Sequence, residues 1–208
     1  MIHGYHVIWG TYGFWLPNDP RGSWSDVFVY SWELARFGRS TKSIDRVDVE
    51  PEHYAVWRAE ARKALKYPPV TLSGHQALAA SEGFGRFAQK SRLAVWACSI
   101  LPEHVHLVLG RHRYKIEQAA NLLKGEATRR LLEKELHPMK QFQKSEQDRL
   151  PSVWGENQWK VYLDSEEAIE KAIRYVEENP VRENKPRQHW SFVTAFDGLS
   201  QSGWTTYA

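Results

Sequence analysis

Two periods of hydrophobicity organise this chain. Residues 104–109 read His-Val-His-Leu-Val-Leu, with Val105, Leu107 and Leu109 alternating against the two histidines. Residues two apart on a strand share a face, so this spacing sends the three apolar side chains to a core and both imidazoles to the other side. Residues 93–100 (Leu-Ala-Val-Trp-Ala-Cys-Ser-Ile) form a second strand. Only Leu101-Pro102-Glu103 separates the two, too few residues for a crossover, so they pair antiparallel. Residues 4–12 are aromatic and β-branched, and residues 153–163 carry Trp154, Trp159, Val161 and Tyr162; both read as strands.

The helical period appears elsewhere. Over 116–136, Ile116, Ala119, Ala120, Leu123, Ala127 and Leu131 fall on one face. Over 166–178, Ile169, Ala172, Ile173 and Val176 form a buried stripe, with Asp164 or Ser165 as the cap. Asn179-Pro180 closes that helix, because the residue before a proline disfavours the helical conformation. Pro51 opens a helix over 51–66 that Tyr67-Pro68-Pro69 stops, and 73–90 is helical with a break near Gly83 and Gly85. Residues 16–25 are dense in turn formers, residues 26–50 carry no clean period, and 137–150 is a polar, charged loop. The stretch 13–50 is therefore an irregular insertion after the first strand. The order strand, helices, two strands, helix, strand, helix predicts an α+β fold: a small antiparallel sheet with helices packed on one face, in a single domain over 1–208.

Composition narrows the classes. The chain of 208 residues is long enough for a real core. No apolar run approaches membrane-spanning length, and the first residues lack the pattern of a signal peptide, so no membrane partner is expected. Cys98 is the only cysteine, which excludes an internal disulfide and a cysteine-based zinc centre and suits a reducing, cytoplasmic setting. A net charge of +3 permits a nucleic-acid partner without requiring one.

The chemistry begins with His104 and His106. Two neutral imidazoles side by side on a rigid strand are half of a divalent-metal site. The same pair also suits a half-buried strand with two polar residues facing solvent. On the last helix, Tyr175 and Asn179 are four residues apart and share a side. If that helix crosses the sheet near the histidines, Asn179 supplies a third, oxygen ligand and Tyr175 hangs over the metal. A set of two imidazoles and an amide oxygen leaves coordination positions open, and suits Mg²⁺ or Mn²⁺ holding a phosphate better than a closed structural zinc. A phenol beside such a site is a candidate nucleophile. Tyr175 with its hydroxyl in water, and Asn179 as an ordinary helix terminator, are the plainer alternatives.

Charge adds a partner. Between Arg111 and Lys134 stand seven basic residues (Arg111, Arg113, Lys115, Lys124, Arg129, Arg130, Lys134) against three acids, and Arg182, Lys185 and Arg187 follow Tyr175. Arg111, Arg113, Lys124, Arg129, Arg182 and Lys185 are thus candidates for neutralising a DNA backbone, although a solvated helix face has the same look. Of ten tryptophans, Trp15 and Trp24 in the turn-rich stretch are the candidates for stacking on bases.

Four stretches resemble a known family. They are Leu101-Pro-Glu-His-Val-His106, Trp154-Gly-Glu-Asn-Gln-Trp-Lys160, Ile173-Arg-Tyr-Val-Glu-Glu-Asn-Pro-Val181 and His189-Trp-Ser-Phe192. Together they resemble the HUH single-strand DNA endonucleases, and more narrowly the single-tyrosine transposases and their REP-associated relatives. The resemblance spans roughly residues 92–194; the small-residue pattern of the last stretch is altered, and 13–50 exceeds the compact family pattern. It implies a ferredoxin-like core, with His104, His106 and Asn179 binding the divalent ion. It implies that Tyr175 attacks a phosphodiester in single-stranded or hairpin DNA, leaving a 5′-phosphotyrosine link and a free 3′-hydroxyl, in a monomer or a homodimer. Two other classes remain open: a DNA-binding protein of this fold without the chemistry, and a metal hydrolase of small phosphorylated substrates. The latter lacks a glycine-rich phosphate loop and a clear carboxylate base.

Overall fold

The structure is a computed structural model that describes residues 1–14, 56, 59–145 and 147–199. Four strands make one sheet: β1 (Gly4–Gly10), β2 (Val95–Ile100), β3 (His104–Gly110) and β4 (Trp159–Leu163), in the order β2-β3-β1-β4, every neighbouring pair antiparallel. Three helices join them: α1 (Gly74–Ser91) between β1 and β2, α2 (Ile116–Glu133) between β3 and β4, and α3 (Glu166–Arg182) after β4. Strand, helix, two strands, helix, strand in this spatial order is the ferredoxin-like arrangement. The α+β fold and the antiparallel pairing of the histidine strand are as expected.

One part of the expectation needs correction. Helices cover both faces of the sheet. Val7, Trp9, Val105, Leu107 and Leu109 pack with residues of α1 and α2 in the main core. Ala97, Val108 and Leu163 pack on the other face with Ile169, Ala172 and Val176 of α3.

Three local departures have physical causes. First, α1 runs unbroken through Gly83 and Gly85. A Cβ built on Gly83 would lie 2.6 Å from the Ala127 Cα of α2, so this glycine permits a close approach of two backbones and breaks nothing. Ser73 caps the helix with a reciprocal pair: its hydroxyl accepts from the Gln76 N–H, and the Gln76 side chain accepts from the Ser73 N–H. Second, α3 continues past Asn179 and through Pro180 to Arg182. Asn179 and Pro180 are both buried, and that packing overrides the local preference of a residue before proline. The Glu183 N–H then closes the helix on the carbonyls of Asn179 and Pro180. Third, β4 begins at Trp159; the segment before it is irregular, with Trp154 making a lone bridge to Thr11.

Of the helix expected over 51–66, residues 56 and 59–63 are helical, and its opening lies outside the described residues. The stretch 15–50, including Trp15 and Trp24, is also outside them. Among the described residues no helix is long and apolar enough to cross a membrane.

Candidate nucleic-acid processing site

Strand register assembles the site. On β3, His104 and His106 project to the face that α3 covers, opposite the side of Val105 and Leu107. Ile8 of β1 is the partner of His106, and His6 the partner of Val108, so His6 belongs to the same face. On the far side of β3, Ser99 of β2 is the partner of His106. Three imidazoles therefore gather: the His104 and His106 rings are 5.0 Å apart between centroids, and those of His6 and His106 5.3 Å. A direct hydrogen bond, 3.1 Å between His6 Nε2 and His106 Nδ1, links the last two.

Helix α3 supplies the rest. Ser165 caps it, accepting from the Ala168 N–H, and Ile169, Ala172 and Val176 seat it on the sheet. Tyr175 stands beside that stripe with its ring 5.8 Å from His106 and 5.7 Å from His6, and 39 % of its surface is open to solvent. One turn on, Asn179 is buried, and its Nδ2 has no hydrogen-bond partner among the described residues. Two positions nearly 70 residues apart in sequence thus meet within one chain. The Arg182 guanidinium lies over the Tyr175 ring at 5.0 Å, while also pairing with Glu178 at 2.9 Å. Phe14 stacks on His104 at 5.2 Å with 12° between the planes, and Glu183 brings a carboxylate oxygen to 3.6 Å from His104 Nε2.

The electrostatics favour uncharged rings. Burial pushes the His6 pKa down to about 4. Burial, together with the neighbouring His104 and His6, holds His106 well below the ordinary histidine range. Neutral imidazole is the form that binds a metal. The unpartnered atom of Asn179 is the Nδ2 donor, which an acceptor such as a phosphate oxygen would satisfy; only the other end of the amide, Oδ1, could ligate a cation. Two imidazoles and an amide oxygen are a donor set that suits a divalent cation. Among the described residues no three His, Cys, Asp or Glu side chains converge to hold a metal.

The six basic candidates separate. Arg182 ends α3 over the Tyr175 ring, and Lys185, three residues on, reaches the Glu183 carboxylate at 3.8 Å. Arg111 and Arg113 are exposed just past the other end of β3, about 20 Å from His104 at the usual rise per strand residue. Arg129 is exposed on α2, behind the sheet, where it pairs with Glu126. Lys124 is a correction. It is buried, its ammonium donates to the carbonyls of Gly155 (2.9 Å), Glu156 and Asn157, and it lies over the Trp9 ring. Burial lowers its pKa to about 8. Lys124 braces the segment that leads into β4 and has no free ammonium to offer a phosphate. The helical period already held the signal, since Lys124 sits four residues after Ala120 and three before Ala127, on the apolar stripe.

Sequence reasoning missed His6. It sits in an aromatic strand with no motif around it, and only the pairing of β1 with β3 reveals its place.

No known family profile matches the sequence, and no curated protein does. Two solved structures are similar in fold. One is a REP-associated tyrosine transposase bound to a REP hairpin, with 10% identity and a TM-score of 0.43 over 88% of this chain and 70% of that one. The other, from Deinococcus radiodurans R1, carries a provisional transposase assignment, with 16% identity and a TM-score of 0.40 over 86% of this chain and 91% of that one. At this level of similarity nothing about activity or ligand passes from those proteins to this chain.

Proposed function

We propose that this protein is a divalent-metal-dependent, single-tyrosine nickase and strand transferase of single-stranded or hairpin DNA, of the HUH type. The observation that carries the reading is the meeting of a half-exposed phenol, Tyr175, with the buried His106, the buried Asn179 following one helical turn on. His104, His106 and Asn179 would hold the cation, Mg²⁺ or Mn²⁺. When bound, such an ion polarises the phosphoryl oxygen.

The chain's own residues do the rest. Tyr175 Oη attacks the phosphorus; a new P–O bond to the tyrosine forms as the bond to the 3′ oxygen breaks. The phenolic proton leaves and the departing 3′ oxygen takes one up, so proton and charge balance. One phosphodiester is exchanged for another, and the reverse step rejoins a strand without ATP. Arg182, over the Tyr175 ring, and Lys185 beyond it would turn from their partners Glu178 and Glu183 to a DNA backbone entering there. Tyr175 and the histidines belong to one chain here, so the reaction needs no second copy to bring them together.

A second reading, a DNA-binding protein of the same fold without the chemistry, draws on the lack of three converging His, Cys, Asp or Glu among the described residues. Incubation with a panel of labelled hairpin oligonucleotides and Mn²⁺ separates the two. A protein–DNA adduct on a denaturing gel, lost in Tyr175→Phe, supports the nickase; binding without an adduct supports the second reading.

A further inference from the structure

We propose that His6 is a positioning residue that fixes the tautomer and aim of His106. The inference rests on the reading of His106 as a cation ligand. His106 Nδ1 is 3.1 Å from His6 Nε2, so that nitrogen is engaged in the hydrogen bond between the rings. The nitrogen left for a cation is His106 Nε2, which must then offer its lone pair. A neutral imidazole carries one proton, so that proton sits on Nδ1 and His106 donates to His6. His6 Nε2 is therefore the acceptor, and the proton of His6 is on its own Nδ1.

The surroundings hold this pair in place. His6 is buried on β1 beside the strand that carries His106, and both rings are walled by Tyr175 of α3 at 5.7 and 5.8 Å. A ring ligand whose second nitrogen is held by an acceptor keeps its orientation and gains basicity. The acceptor in this site is a third histidine, on a different strand from the ligand pair. With its Nε2 committed to His106, His6 acts through that ring and touches no substrate.

The test reads protons and metal rather than cleavage. Nitrogen-15 imidazole spectra of the metal-free wild-type protein should show His106 and His6 both as the Nδ1–H form. Finding His106 as Nε2–H, with His6 donating, overturns the proposal. In Mn²⁺ titrations followed by electron paramagnetic resonance, His6→Phe should weaken binding roughly 10- to 100-fold, the usual loss for an outer partner of a ligand. His6→Gln, whose amide oxygen can accept, should recover much of it. A His6→Phe protein that is folded by circular dichroism and binds Mn²⁺ as tightly as wild type overturns the role of His6 alone. A wild-type protein that binds no Mn²⁺ overturns the cation reading and this proposal with it.

Discussion

The two faces of the sheet bury different polar groups: a lysine under α1 and α2, imidazoles and an amide under α3. Under α1 and α2 the one deeply placed charge, Lys124, is tied to three backbone carbonyls and lies over Trp9. Under α3, Ser99 Oγ and Asn179 Nδ2 are buried with no hydrogen-bond partner among the described residues, and two histidines are held far from their ordinary protonation range. Burial disfavours the charge on Lys124 and its three carbonyl partners offset part of that cost; an unpartnered buried polar atom, such as Trp9 Nε1 on the same face as Lys124, carries a cost of its own. The larger core belongs to the first face, and the proposed site to the second.

Substitutions should respect that division. The largest effect is expected at Tyr175: Tyr175→Phe should lower covalent capture of single-stranded DNA by on the order of 1000-fold or more, with binding retained, as removal of an attacking group does. Full adduct formation by that variant would remove Tyr175 as the nucleophile. On the other face, Leu107→Ala should cost about 2–5 kcal/mol in urea unfolding, the range for a cavity in a packed core. A loss under 1 kcal/mol would mean that this side is not the stabilising one.

Lys124 gives a third contrast, in pH. Its pKa is about 8 in the fold against an ordinary 10.5, so between these values the unfolded chain holds more protons. Stability contributed through Lys124 therefore rises with pH over that window, by up to about 3 kcal/mol. Wild type should gain on Lys124→Met as pH climbs from 8 to 10.5; a constant difference would place the ammonium in water. The smallest change is expected from Asn179→Leu. It removes a buried Nδ2 that has no partner among the described residues, so stability should move by less than about 1 kcal/mol while Mn²⁺-dependent cleavage is lost. Severe unfolding of that variant would show that the amide is structural after all.

Local patterns made much of this legible. Strand parity put His104 and His106 on one face, and the four-residue spacing put Tyr175 and Asn179 on one side of a helix. Both rules act within a few residues. His6 and the side of the sheet chosen by α3 were beyond them, because each depends on partners about 60 to 100 positions away. Pro180 misled for a related reason: a dipeptide preference of modest size gave way to burial. Lys124 was legible and was misjudged, since counting charge along the chain ignored the helical stripe on which it lies.

The contact at Gly83 carries a consequence for assembly. With Ala127 so near, α1 and α2 can touch backbone to backbone only where no side chain intervenes. A slip of one turn, about 5.4 Å, would bring Ala79 or Phe87 to that point and force the helices apart. The missing side chain thus acts as a notch, fixing the register of one helix of the layer against the other.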